Sequence, residues 1–204
     1  MSVRREVTIV DMGLGNLRSV ARAFERASAL VTISADPSMI ARASCLVVPG
    51  QGAFRDCALA IERGFGDALR ESIARGIPYL GICLGMQMLF DSSEEAPNAA
   101  GLGVFKGKVV RFAVDSTLKV PHMGWNNVHA THPFMQDGAY YYFVHSYHCV
   151  PADRSLVAAT VDYGGEVCAA IAKDNLFACQ FHPEKSQDAG AHLIESFLNG
   201  PAWS

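Results

Sequence analysis

The sequence of 204 residues is half hydrophobic and 18% charged, enough for one domain, with or without an insertion, built on a single large core. A formal net charge of −3 and the lack of a dense basic stripe argue against nucleic acid as a partner, and no apolar stretch is long enough to span a bilayer. Six cysteines, at 45, 57, 83, 149, 168 and 179, make no C-x-x-C and no compact disulfide framework, which points to a reducing cytoplasm.

Residues 1–6 carry no signal-peptide apolar region and lead straight into 7–10, a buried strand. Leu17, Val20, Ala21 and Phe24 then share one helical face. Between them, Asp11-Met12-Gly13-Leu14-Gly15-Asn16 has the G-x-G of a dinucleotide fingerprint, but Arg18 stands where the third glycine belongs. No nucleotide cofactor is therefore expected, and Asn16 reads as a helix cap. A weaker strand at 30–33 and a buried one at 45–48 follow, the latter stopping at Pro49. Pro49-Gly50-Gln51-Gly52 is then a loop at a strand's carboxyl end, where open parallel sheets bind ligands and glycines leave backbone N–H groups accessible to an anionic oxygen. The plain alternative is a turn. Residues 54–75 carry two helical patterns hinged near Gly64 and Gly66, Gly76 caps the end, and Pro78 starts a strand that runs to Cys83. Strands alternating with helices predict a parallel sheet with right-handed crossovers.

At Cys83 a helical pattern takes over. Gly81-Ile82-Cys83-Leu84-Gly85 is G-x-C-x-G, the thiol counterpart of the strained strand-to-helix turn that lifts a nucleophile above a sheet edge. The helix start beneath the sulfur is expected to favour thiolate over thiol. A buried, inert cysteine beside a glycine turn is the competing reading.

Residues 91–103 read as an exposed loop, and strands dominate thereafter, at 108–112, 140–144, 156–160, 167–171 and 176–181. Lys106, Lys108 and Arg111 read as a solvated strand edge. Ala189, Leu193, Ile194 and Phe197 form a last amphipathic helix, closed by Gly200 and Pro201. The strand at 176–181 ends in His182-Pro183-Glu184. A histidine at a strand end, with a carboxylate two residues on, can supply Cys83 with a base and that base with an orienter. The histidines at 122, 129, 132, 145, 148 and 192 read as structural, and without H-x-x-x-H or paired cysteines no metal site is expected.

Taken together, Pro49 to Gly52 (P-G-x-G), Gly81 to Gln87 (G-x-C-x-G-x-Q) and Phe181 to Glu184 (F-H-P-E) resemble the class I, triad-type glutamine amidotransferases. Residues 120–126 and 142–147 resemble the branch that serves a separate (β/α)8-barrel cyclase. The resemblance spans nearly the whole chain and implies one amidotransferase domain over 1–204. It implies a flavodoxin-like three-layer α/β sandwich with a mostly parallel central sheet, glutamine as substrate, no cofactor, and a heterodimer with the cyclase. By the same resemblance Cys83 attacks glutamine, His182 shuttles the proton and Glu184 orients it. Leu84 and the Gly50, Gln51 and Gly52 loop hold the oxyanion, and Gln87, Glu95, Ser146 and Tyr147 hold the amino-acid end. Asn16, Pro121, His122, Met123, Trp125, Tyr142 and Lys185 face the cyclase; without the resemblance, Met123 and Trp125 would read as core. Gln51 stands where such proteins often carry valine, a position of which only the backbone is expected to act. Because free ammonia escapes, a gate is expected, with a peptide flip in the Gly50 to Gly52 loop able to supply it. A glutaminase subunit of another synthase, a non-enzymatic regulatory partner with the same fold, and a γ-glutamyl hydrolase or cysteine peptidase on a similar sandwich remain as alternatives.

Overall fold

The computed structural model describes residues 4–113 and 118–200, so the first three residues and Pro201, read above as the chain start and a helix terminator, lie outside it. The first half follows the expected alternation: β1 (Glu6–Val10), α1 (Leu17–Arg26), β2 (Leu30–Ser34), α2 (Pro37–Ala41), β3 (Leu46–Gly50), α3 (Phe54–Ala60), α4 (Gly66–Ala74), β4 (Tyr79–Cys83) and α5 (Leu84–Gln87). The second half comprises β5 (Ser92–Ser93), β6 (Gly107–Arg111), β7 (His122–Ala130), β8 (Tyr140–His145), β9 (Tyr147–Pro151), β10 (Val157–Asp162), β11 (Glu166–Lys173), β12 (Leu176–Cys179) and α6 (Gln187–Asn199).

Nine strands form one sheet in the order β2-β1-β3-β4-β12-β11-β10-β7-β8. From β2 to β12 every pairing is parallel, and the order 2-1-3-4 followed by a fifth strand is that of flavodoxin-like folds. From β12 to β8 every pairing is antiparallel. The parallel half is thus extended by a wing of four strands. Alternation along the central strands feeds two cores. Ile9, Val47, Leu80 and Ile82 pack with Phe24 of α1 and Leu193, Ile194 and Phe197 of α6 on one face. Val10, Leu46, Val48 and Tyr79 pack with Phe54 of α3 and Leu69 of α4 on the other. These are the three layers. A small sheet, β5-β6-β9, lies on the second core through Val109 and Cys149.

The hinge expected near Gly64 and Gly66 is a π-turn over Ile61–Phe65, with Gly64 at φ +103°. The pattern after Cys83 is shorter than expected: α5 is a single turn. Its continuation is diverted because the Met88 and Leu89 carbonyls accept from Leu102 and Phe105 of the returning loop. That loop, expected to be exposed, buries Ser93, Gly101 and Leu102. β3 runs one residue past Pro49, to Gly50.

Candidate active site

Strands β3, β4 and β12 lie side by side and parallel, with Gly50 opposite Cys83 and Cys179 opposite Ile82, so their carboxyl ends open on one edge. Cys83 closes β4 at φ +55°, ψ −105°, a strained geometry for a residue with a side chain. Close approach is what requires glycine on either side. A Cβ at Gly85 would be driven into the Val48 carbonyl oxygen, and one at Gly81 would lie 2.6 Å from the Gly85 oxygen. The buried Tyr79 hydroxyl donates to that same oxygen at 2.9 Å and pins the turn. Cys83 itself is 7% exposed and lines a pocket of about 630 Å³.

Beyond β12 the chain places His182 before a short turn, Pro183–Lys185, and the His182 N–H donates to the Tyr142 carbonyl of β8 at 2.9 Å. Its Nδ1 meets Glu184 Oε1 at 2.9 Å, both side chains being almost fully buried. The carboxylate can only accept, which places a proton on Nδ1. Burial opposes charge on this ring, yet the interactions with Cys83 and Glu184 outweigh it and raise the imidazole to about 9. Nε2 closes no hydrogen bond among the described residues, and His182 lines the same pocket as Cys83.

The other expected site residues are gathered around this pocket. Gln51, Gly52, Leu84, Gln87, Glu95, Ser146 and Tyr147 line it. Glu95 Oε2 also accepts from the Phe54 N–H at 2.8 Å, capping α3, whose own cap residue Ala53 makes no side-chain bond. Gly50 keeps the loop close, since a Cβ there would lie 2.7 Å from the Leu84 Cβ. Leu84, the first residue of α5, has an N–H without an intrahelical partner.

Of the residues expected to face a partner, Met123 and Trp125 are 62% and 46% exposed, which removes the core reading. Trp125 packs edge-on to Tyr142, Lys185 Nζ sits 5.8 Å from the Tyr142 ring centre, and Pro121 is exposed at the pocket rim. Asn16 caps α1 through the Ser19 N–H and lines a small cavity behind the triad with Gly50, Gln51, His182 and Glu184. His122 is a correction. It is 3% exposed, stacked between Phe143 and Tyr163, so its ring is turned into the protein and not toward a partner.

One residue was missed. Gln180, fully buried, donates from Nε2 to Cys83 Sγ at 3.4 Å. Its signal was readable: an amide in the apolar run Leu176-Phe177-Ala178-Cys179-Gln180-Phe181 has to find a partner. Among the described residues no cluster of three histidine, cysteine or acidic side chains is arranged to hold a metal ion.

The class-I glutamine amidotransferase family model matches residues 8–200. The imidazole glycerol phosphate synthase subunit HisH of Syntrophotalea carbinolica is 46% identical over 202 residues, covering 94% of this chain and 98% of that protein. The same subunit of Rhodopirellula baltica is 49% identical over 200 residues, covering 96% and 98%. In fold, the structure of PurLQS from Thermotoga maritima aligns with TM-score 0.76 at 19% identity, over 97% of this chain and 99% of that one.

Proposed function

Because the chain belongs to the class-I glutamine amidotransferases, we propose that it is the glutaminase subunit of an imidazole glycerol phosphate synthase. The observation that carries the chemistry is Cys83 on a strained turn, in one pocket with His182, whose other nitrogen is held by Glu184.

In this reading the Cys83 sulfur attacks the carboxamide carbon of glutamine and His182 carries the proton. The tetrahedral oxyanion is met by the Leu84 N–H and one from the Gly50 to Gly52 loop, each donor contributing on the order of 3 kcal/mol. Collapse expels the nitrogen, which takes the proton from His182 and leaves as ammonia, with a glutamyl thioester on Cys83. Water then adds to the thioester, His182 accepts its proton, and glutamate departs. An imidazole raised to about 9 is charged at neutral pH and suited to protonating the leaving nitrogen. Gln87, Glu95, Ser146 and Tyr147 hold the amino-acid end. Residues 1–204 act as one amidotransferase domain in the cytoplasm. The ammonia passes to a (β/α)8-barrel cyclase, in a heterodimer, docked on Asn16, Pro121, Met123, Trp125, Tyr142 and Lys185.

The test is Cys83→Ala. Glutamine turnover in the complex is expected to fall roughly 10⁴-fold or more, as for loss of a nucleophile, while added ammonia still supports product formation by the cyclase. Persisting turnover in the variant overturns the assignment of the nucleophile, and unaltered cyclase output from glutamine overturns the coupling. A purified chain that binds a cyclase but never hydrolyses glutamine would instead be a regulatory module.

A further inference from the structure

A run of polar groups outside the triad has one direction, set by a carbonyl, and it ends on the nucleophile. The Tyr147 carbonyl oxygen accepts from His145 Nδ1 at 2.8 Å and from Gln87 Nε2 at 3.1 Å. A carbonyl cannot donate, so each partner is fixed as the donor. On one side this leaves Nε2 of the neutral His145 ring as an acceptor, and His122 Nδ1 donates to it at 3.1 Å. On the other side the Gln87 amide is held nitrogen-inward, and its second N–H reaches Gln180 Oε1 at 3.1 Å. With its oxygen so engaged, Gln180 turns its amide nitrogen onto Cys83 Sγ, at 3.4 Å. Gln180 is fully buried and Gln87 is 4% exposed, so the Gln87–Gln180 and Gln180–Cys83 contacts are shielded from water.

We propose that Gln180 is a positioning residue for the Cys83 nucleophile: its amide N–H donates to the sulfur, favours it as thiolate and holds it in the pocket, with Gln87 and the Tyr147 carbonyl setting the polarity of the amide. The inference rests on Cys83 being the nucleophile, as argued above. An amide at neutral pH neither gives up nor takes up a proton, so this donor complements His182 without replacing it. A negative sulfur accepts a stronger hydrogen bond than a neutral thiol, so the contact stabilises the attacking form selectively. The same bond aims the sulfur. It anchors a side chain that sits on strained backbone, and through Gln87 it ties that anchor to the wall of the pocket.

The test compares the parent chain with Gln180→Met, similar in length and without a donor, and Gln180→Glu, nearly identical in shape but only an acceptor when ionised. The readout is the pH dependence of Cys83 alkylation by iodoacetamide, mapped by mass, in folded protein. In the parent, Cys83 is expected to react first, because burial raises the thiols of Cys45 and Cys168 to about 12 and pushes Cys57, Cys149 and Cys179 further in the same direction. In both variants its rate at neutral pH is expected to fall about tenfold, the worth of one hydrogen bond to a charged group, with the profile displaced to higher pH. Glutamine turnover in the complex then loses kcat more than it gains KM. A variant that melts like the parent and alkylates with the parent's pH profile overturns the proposal. If Gln180→Met melts early, Gln180→Glu decides. A parent chain that labels first at another cysteine overturns the nucleophile reading itself, a different outcome from parent-like variants.

Discussion

At the level of single residues, His182 holds its proton whereas the buried His145 and His122 refuse one. Burial drives His145 to about 3, despite the bond to the Tyr147 carbonyl and with help from the neighbouring His122, His148 and His182 rings. Burial alone takes His122 to about 4. Both lie below the unfolded value of about 6.5, so between that pH and their folded values the unfolded chain binds more protons than the native one. Their contribution to stability is complete above pH 6.5 and is lost as pH falls. His182 has the opposite sign: raised to about 9, it contributes fully below pH 6.5 and loses its contribution as pH rises through 9. As far as these three are concerned, stability is greatest near pH 6.5. His122→Phe, which keeps the stack on Phe143 and Tyr163, is expected to remove one proton from the acid limb, about 1.4 kcal/mol per pH unit at most. Urea unfolding at a series of pH values between 4 and 7 checks it. An unchanged slope would mean that His122 already binds its proton in the native state.

At the level of elements, the elbow separates two reasons for a glycine. Gly76 sits at φ +80° with open space around the missing side chain, whereas Gly85 lacks the left-handed backbone but faces the Val48 carbonyl oxygen. Gly76→Ala is expected to cost about 1 kcal/mol of backbone strain. Gly85→Ala has to move β3 away from α5 and is expected to cost about 3 kcal/mol or more, as an overpacked core does. Denaturant midpoints of the two variants measure the difference, and equal costs would refute the packing argument. The gate expected over Gly50 to Gly52 is narrowed by the same reasoning. Gly50 is held in β3 opposite Cys83, so freedom to flip lies at Gln51 and Gly52, the latter at φ +131°. What was legible in the sequence follows from where apolar periodicity is strong. The buried runs of β1, β3, β4 and β12 and the glycine-flanked elbow announced themselves. β7 did not, because in His122-Met123-Gly124-Trp125-Asn126-Asn127-Val128-His129-Ala130 only His122 and Val128 are buried and no two-residue apolar rhythm exists. β9, entered one residue after β8 and ending on Pro151, had no turn to mark it. α2 was missed for its five residues, although Asp36 before Pro37 is a capping signal, and Asp36 does accept from the Ser38 N–H at 2.8 Å.

At the level of the whole molecule, the antiparallel wing connects the exposed face around Trp125, proposed above to receive the cyclase, to the triad through backbone. Tyr142, beside Trp125, accepts from the His182 N–H at 2.9 Å and donates its own N–H to Ser186 Oγ at 3.0 Å. Ser186 in turn donates to the His182 carbonyl. Elsewhere, a Cβ at Gly15 would come within 3.1 Å of the Gln51 nitrogen, so the loop bearing Asn16 rests on the proposed oxyanion loop. A partner covering both places touches the supports of the base and of the oxyanion donor together. Trp125→Ala and Lys185→Ala are therefore expected to uncouple the reactions, with glutamate released in several-fold excess over cyclase product while ammonia-supported synthesis stays near the parent rate. Simultaneous assay of glutamate and product decides, and a preserved one-to-one ratio would count against transmission through β8.

The strand that presents His182 is inserted between β4 and β11, although it is nearly the last to be made. The nucleophile and the base thus come from segments about a hundred positions apart in the chain, joined only when β12 enters the middle of the sheet. A nascent polypeptide on the ribosome that has been translated only as far as β11 has a thiol and no imidazole to serve it. Under the proposed function, such an unfinished product of translation cannot spend glutamine before there is a complete subunit for a cyclase to receive.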